Sequence, residues 1–212
     1  MESFVIGVAG GSGAGKTTLA EGLADHMNPG HAVVIHEDRY YRDNSHLPAA
    51  SRGNLNYDHP DAIDLRLLSE HVRELVAGGR ITQPVYDFVQ HVRTGETITV
   101  FPAKLLIVEG LFTLFNRFLR DVIELRVFLD LDDRERLSRR IERDTKERAR
   151  TQESVIWQWE STVQPMHKMF VQPSRSFADL ILSGDDPVDR NIAKIRDFFI
   201  SKNGGKDLFD EI

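Results

Sequence analysis

Short apolar runs alternate along the chain with polar stretches of helical periodicity. Phe4-Val5-Ile6-Gly7-Val8-Ala9, Ala32-Val33-Val34-Ile35, Lys104-Leu105-Leu106-Ile107-Val108-Glu109-Gly110 and Leu125-Arg126-Val127-Phe128-Leu129-Asp130 read as strands of the buried, parallel type. Leu180-Ile181-Leu182 is a shorter last strand. Thr18 to Ala24 reads as a helix. Leu65, Leu67, Leu68, Val72, Leu75 and Val76 form an apolar stripe near period 3.6 that Gly78-Gly79 ends. A further helix runs from Arg134 to about Glu147, with Asp132 as its N-cap. Ser154 to Phe170 is helical and interrupted at Pro165, and Asp189 to Phe199 is a terminal amphipathic helix before a frayed Gly204-Gly205 tail. Ile81 to Phe88 and Glu96 to Val100 predict an antiparallel hairpin added to the parallel core, with Arg93-Thr94-Gly95 as its turn. Strands alternating with helices make this an α/β chain with a parallel sheet.

The loop after the first strand changes the picture from fold to chemistry. Gly10-Gly11-Ser12-Gly13-Ala14-Gly15-Lys16-Thr17 fits G-x-x-x-x-G-K-[ST], and it lies between a strand and a helix as that pattern requires. Glycines let successive backbone N–H groups turn towards a phosphate, and the following helix presents unpaired N–H groups and its positive dipole end. Lys16 would reach the β- and γ-phosphates, and the Thr17 hydroxyl would ligate Mg²⁺. A phosphate site does not name the acceptor.

Other residues compete for that role. His36-Glu37-Asp38 closes the second strand, at the end where open α/β sheets place ligands. Asp38 is either a residue that acts on substrate or an Asx turn or helix N-cap. Glu109 ends the third run, where a P-loop protein commonly keeps an acid for Mg²⁺ or its water shell. Arg136, Arg140 and Arg143 share one helical face. They are either part of a lid that clamps phosphate or an exposed face of ion pairs such as Arg140–Asp144 and Arg143–Glu147. Tyr86, Phe88 and His91 either line a base-sized pocket or pack the hairpin.

The 212 residues suffice for one α/β domain over 1–212, and no repeat or low-complexity segment divides them. A net charge of −6 argues against a nucleic-acid binder that works by overall charge, while leaving room for a positive cleft. The absence of cysteine excludes disulfides and thiolate metal sites. No run has the length of a membrane span and no signal pattern opens the chain, so a cytoplasmic location with no membrane partner is expected.

In this order the motifs resemble the uridine kinase (uridine/cytidine kinase) family from Phe4 to about Phe199. They are the P-loop, Glu37-Asp38-Arg39-Tyr40-Tyr41-Arg42-Asp43, Asn44-Ser45-His46-Leu47, Asn56-Tyr57-Asp58-His59-Pro60, Pro84-Val85-Tyr86, Val108-Glu109-Gly110, and Arg139-Arg140-Ile141 through Glu147-Arg148. The resemblance implies a P-loop NTPase fold: a five-stranded parallel sheet flanked by helices, a substrate hairpin at about 81–100 and a mobile lid at about 134–152. It implies Mg²⁺-dependent transfer of the γ-phosphate of ATP or GTP to the 5′-hydroxyl of uridine or cytidine, giving UMP or CMP in pyrimidine salvage. Asp38 is then the general base, and Thr17, Glu109 and Asp38 surround the metal. Gly10, Gly11, Ser12, Gly13, Ala14, Gly15, Lys16, Thr17 and Thr18 form the donor site. Asp186 matches an acid near the adenine, in a loop, Gly184-Asp185-Asp186-Pro187, of different length. Asp58 and Arg140 hold the ribose. Tyr86, His91, Arg150 and Gln158 recognise the base, with Tyr57 and Phe88 as aromatic walls. Lys16, Arg143 and Arg148 face the transferring phosphate. The resemblance also implies a homotetramer and inhibition by CTP.

Two departures stand out. The loop Gly13-Ala14-Gly15 has one more glycine than many members. Arg148-Ala149-Arg150 replaces the usual Arg-Gly-Arg, and a positive φ there would strain alanine. The rival readings are a related kinase of another small alcohol (phosphoribulose, pantothenate or nicotinamide riboside) and a non-catalytic nucleotide-binding regulator. A GTPase would usually carry N-K-x-D, which is absent. A dead regulator would be expected to have lost Lys16, Asp38 or Glu109.

Overall fold

The computed structural model describes residues 3–202 together with Gly204 and Asp207. Of the expected frayed tail, Gly205 lies outside the described residues.

Five parallel strands form the central sheet: β1 (Phe4–Gly10), β2 (Ala32–His36), β5 (Leu105–Gly110), β6 (Leu125–Asp130) and β7 (Leu180–Ser183), in the order β2-β5-β1-β6-β7. β1 is central because both its faces are apolar. Val5 and Ala9 point into one core with Leu106, Val108 and Phe128, while Ile6 and Val8 point into the other with Leu105, Ile107 and Val127. The first core is covered by α3 (Leu65–Val76) through Leu68, Val72 and Leu75, and the second by α1 (Lys16–Asp25) and α9 (Val188–Lys202) through Leu19, Leu23, Ile192 and Ile195. Short helices α2 (Ala49–Arg52) and α4 (Arg117–Arg120) lie in the connections. The register sets Val8 and His36 on either side of Glu109. The carboxyl ends of β2, β5 and β1 thus meet in one place, with the P-loop leaving β1 there.

The expected antiparallel hairpin is present: β3 (Ile81–Asp87) and β4 (Val92–Val100) form a two-stranded sheet of their own beside the parallel one. Its turn lies elsewhere than expected. The turn is at Phe88–His91, where the Asp87 carboxylate accepts the Val89 and Gln90 amides at 2.8 Å each and His91 takes φ +56°. Arg93-Thr94-Gly95 lies inside β4. Pairing shifts from Pro84–Thr97 to Tyr86–Arg93, so Thr94 and Gly95 are taken up in a bulge.

The arginine-rich helix is α5 (Asp133–Glu147), capped by the Asp132 carboxylate on the Arg134 amide. The helical stretch after it is not interrupted at Pro165. It runs through α6 (Gln152–Gln158), a π-turn at Trp159–Val163, α7 (Gln164–Met166), a second π-turn at His167–Val171 and α8 (Gln172–Ser174). Each proline sits just past a π-turn, Pro165 after the first and Pro173 after the second. Proline lacks an N–H and presses on the carbonyl four residues back. The widened turns, closed by Gln164 N–H on the Trp159 carbonyl and Gln172 N–H on the His167 carbonyl, let the helix pass both residues.

Ala149, just beyond α5, has φ +52°, and the following Arg150 amide closes on the Asp144 carbonyl at 3.2 Å. A left-handed conformation costs a non-glycine residue about 1–2 kcal/mol, partly offset by the extra freedom glycine has in the unfolded chain. Ala149→Gly is therefore expected to raise Tm by about 1–3 °C, a gain of under about 1 kcal/mol in a chain of this size. A thermal melt that shows an unchanged or lower Tm would mean the surrounding bonds already relieve the strain.

Candidate active site

α1 starts at Lys16 behind Gly15, which makes no side-chain cap, so the first amides of the helix face the loop without a side-chain acceptor. Lys16 Nζ donates to the Gly11 carbonyl at 3.1 Å. Burial lowers its pKa, against the attraction of Glu109 and Glu37. The Thr17 hydroxyl donates to Glu109 Oε1 at 3.1 Å, and His36 Nδ1 lies 2.9 Å from the same oxygen. Burial opposes the Glu109 charge, but the His36 hydrogen bond, Lys16 and Thr17 outweigh it and hold the pKa below the usual carboxylate range. The hydrogen bond to Glu109 in turn raises His36.

A 3-10 turn, Glu37–Tyr40, carries Asp38 to the mouth of this cluster. Burial raises the Asp38 pKa, and repulsion from Glu109 raises it further. Glu37 points inward. Its carboxylate accepts the Phe112 amide at 3.0 and 3.1 Å and the Thr113 hydroxyl at 3.2 Å, and burial pushes its pKa up to about 8. The approach is close enough to dictate the residue opposite: a Cβ on Gly110 would fall 2.3 Å from the Glu37 Cβ. This explains the glycine after Glu109.

The other side of the cleft is built by α5 and the segment after it, anchored on one carboxylate. Asp144 is fully buried and holds three guanidinium groups: Arg143 at 2.8 Å, Arg140 at 3.5 Å and Arg148 at 3.8 Å. Burial opposes its charge, but the three arginines pull its pKa below the ordinary range. Of the ion pairs weighed from spacing, Arg140–Asp144 forms, while Arg143 turns to Asp144 and not to Glu147. The exposed-face reading fails for Arg136 and Arg140, which are both buried. Arg140 donates to Ser12 Oγ and to Gln158 Oε1, each at 2.8 Å, and lies 3.8 Å from Asp58 Oδ1. Arg150 also donates to Gln158 Oε1. Thr162 donates to Asp58 Oδ2 at 3.4 Å.

Aromatic rings close the far end. Tyr57 stacks on His91 with centroids 4.6 Å apart and 15° between planes. Tyr41 touches Tyr57 and Tyr86, Tyr86 meets Phe88 edge-on at 5.3 Å, and the Arg148 guanidinium lies 4.7 Å over Phe88.

One cleft is therefore lined by Ser12, Lys16, Thr17, Asp38, Glu109, Asp58, Tyr57, Tyr86, Phe88, His91, Arg140, Arg143, Arg148, Arg150 and Gln158. Thr18 stays on the exposed side of α1 and Asp186 pairs with Arg190 and Lys194 of α9; neither lines that cleft. Reading the sequence missed His36, Glu37, Tyr41 and Asp144 as parts of the arrangement. The first three lie in the polar run that closes β2 and follows it, which could have flagged them. Asp144 carried no signal beyond helical spacing.

Among the described residues no three or more His, Cys, Asp or Glu cluster as a metal cage. The hard oxygens of Thr17, Glu109 and Asp38 beside Lys16 instead suit a cation that shares its shell with phosphates and water, as Mg²⁺ does. No helix among the described residues is long and apolar enough to cross a membrane.

A family model described as "Phosphoribulokinase / Uridine kinase family" matches residues 5–189. The uridine kinase of Lactobacillus johnsonii (strain CNCM I-12250 / La1 / NCC 533) is 44% identical over 198 residues, 91% of this chain and 94% of that one. That of Geobacillus kaustophilus (strain HTA426) is 45% identical over 196 residues, covering 91% and 93%. Among solved structures, the D-glycerate 3-kinase of Cryptococcus neoformans var. grubii serotype A shares the fold with a TM-score of 0.59 at 19% identity, over 82% of this chain and 80% of that one. A Silicibacter sp. TM1040 protein, provisionally described as a fructose transport system kinase, shares it with a TM-score of 0.67 at 20% identity, over 85% and 89%.

Proposed function

The chain belongs to the phosphoribulokinase/uridine kinase family, and we propose that it transfers the γ-phosphate of ATP or GTP to the 5′-hydroxyl of uridine or cytidine. The observation that carries this reading is 44–45% identity with uridine kinases over 91% of the chain. The aromatic end of the cleft supports it, because a plain sugar or sugar phosphate has no use for stacked rings where a pyrimidine does.

The P-loop amides and Lys16 hold the triphosphate. Thr17, Glu109 and Asp38 would hold Mg²⁺, which when bound would neutralise phosphate charge. Asp58 and Arg140 fix the ribose so that its 5′-oxygen lies in line with the γ-phosphorus. Tyr86, His91, Arg150 and Gln158 read the base between Tyr57 and Phe88. Asp38 accepts the hydroxyl proton, and Arg143 and Arg148, fanned from Asp144, stabilise charge on the transferring group. Most of the rate enhancement is then positioning and electrostatics.

Incubation with ATP, Mg²⁺ and a panel of nucleosides, ribulose 5-phosphate, pantothenate and nicotinamide riboside, with products identified by mass, tests the reading. UMP or CMP as the main product supports it, and phosphorylation of another alcohol alone overturns it. Nucleotide binding with no phosphorylated product would favour a regulator. A homo-oligomer, tetrameric as in the family it resembles, and a cytoplasmic location complete the proposal; light scattering and cell fractionation test them.

Asp58→Ala is expected to raise KM for uridine about 10- to 150-fold, since a hydrogen bond to a charged group contributes about 1.5–3 kcal/mol, and to change kcat much less. An unchanged KM would remove Asp58 from the ribose.

A further inference from the structure

We propose that Arg136 is a positioning residue for the donor-phosphate loop, an inference that rests on reading Gly10–Thr17 as that loop. Arg136 is 1% exposed and does not line the cleft. From the first turn of α5 it lies directly against the P-loop. A Cβ on Gly11 would fall 2.2 Å from Arg136 Nη1, and a Cβ on Gly13 would fall 2.3 Å from the Arg136 carbonyl oxygen. Gly11 is thus demanded by the arginine side chain behind it, and Gly13 by the α5 backbone at the same residue, as well as by a phosphate in front.

The guanidinium has few but definite partners. Nη1 reaches the Ser12 carbonyl at 3.5 Å, a long contact between a cation and a peptide oxygen. Nη2 is ion-paired with Asp133 Oδ1, the Trp159 ring lies 4.9 Å from Cζ, and Nε has no hydrogen-bond partner. Asp133 is itself fixed by Gln164 Nε2 at 2.8 Å on its other oxygen. Trp159 opens the first π-turn and Gln164 follows it, so this widened turn places both supports of the arginine. Were Arg136 only filling space, an apolar side chain of like volume would do so without the desolvation cost of a buried charge.

The contact with Ser12 gives the charge a use. All peptide bonds described are trans, and in a trans peptide the C=O of one residue and the N–H of the next point in opposite directions. Holding the Ser12 carbonyl towards Arg136 therefore aims the Gly13 N–H to the opposite side of the loop, where the anion belongs. The same buried cation adds a fixed positive charge behind the triphosphate.

The test uses Arg136→Met, Arg136→Lys and Trp159→Leu in the full chain. Arg136→Met is expected to raise KM for ATP at least tenfold and to weaken inorganic tripolyphosphate binding by a similar factor in calorimetry, while uridine binding moves less than twofold. Arg136→Lys recovers part of the loss, and Trp159→Leu gives a smaller loss of the same kind. A merely structural arginine would lower Tm and leave donor affinity in place. The proposal is overturned by unchanged ATP and tripolyphosphate affinity in Arg136→Met, by equal losses for donor and acceptor, by a wild-type chain that does not bind tripolyphosphate, or by failure of both Arg136 variants to fold. Tripolyphosphate binding does not depend on the acceptor. A chain that phosphorylates another alcohol would fail the proposed function and could still pass this test.

Discussion

Asp38→Asn is expected to bind ATP and uridine at close to wild-type strength and to lose roughly 10²–10⁴-fold in kcat, the usual contribution of a positioned general base. The substitution keeps the shape of the side chain and the 3-10 turn that presents it, and removes the negative charge and with it the ability to take a proton, while an oxygen remains to face Mg²⁺ beside Thr17 and Glu109. The environment suits that task. Burial, then repulsion from Glu109, raises the pKa of Asp38, against His36, Arg148 and Lys16, which lower it. A base must be ionised to act, so activity is lost as pH falls through the raised pKa. The acid limb of kcat/KM is therefore expected above the ordinary aspartate value of about 3.9 in the wild type and absent from the residual activity of Asp38→Asn. Single-turnover rates with preformed ATP complex make the measurement. Near-normal turnover would take Asp38 out of the base role, and an acid limb that survives in the variant would belong to another group.

Much of the frame was legible because it rests on local patterns. Apolar runs of strand length gave all five parallel strands, and Asp132 was readable as a cap because its carboxylate can reach the next turn's amides. The P-loop was readable because its chemistry is carried by backbone and spacing. What escaped depends on distant partners. The turn chemistry of Arg93-Thr94-Gly95 was real but is used in a bulge, because Asp87 offers its carboxylate to the amides at Phe88–His91 first. Pro165 breaks an isolated helix and yet does not break this one, since π-turns absorb it. Asp144 was legible only as a helical-spacing partner of Arg140, and Glu37 only as one polar residue at the end of the second strand; the fold shows that each is buried and holds a set of arginines or a loop in place. Asp186 matched by position in the chain; the fold adds only that it pairs with Arg190 and Lys194 of α9. Arg136 could be assigned to a helical face but not to the interior, because helical spacing does not say which loop will settle on that face.

Glu109→Gln is the second large loss expected, about 10–100-fold in activity together with a higher Mg²⁺ requirement, the range usual for residues that hold or orient a metal. Glu109 ends the buried strand β5 between Val8 and His36, so it has no freedom to move away from Lys16 and Thr17. One of its oxygens already takes both the Thr17 hydroxyl and His36. Glutamine preserves the length and one acceptor but removes the negative charge. The consequence reaches the donor as well as the metal. Burial already lowers the Lys16 pKa, and Glu109 is the largest influence opposing that. Without it Lys16 holds its proton less well, and the triphosphate faces a weaker cation. A Mg²⁺ titration of turnover, with KM for ATP measured at each concentration, separates these effects. Weakened metal binding predicts partial recovery at high Mg²⁺, whereas the Lys16 effect persists there as a raised KM for ATP that lessens at lower pH. Normal turnover with normal Mg²⁺ dependence would remove Glu109 from the metal and leave it as a strand-end partner of His36.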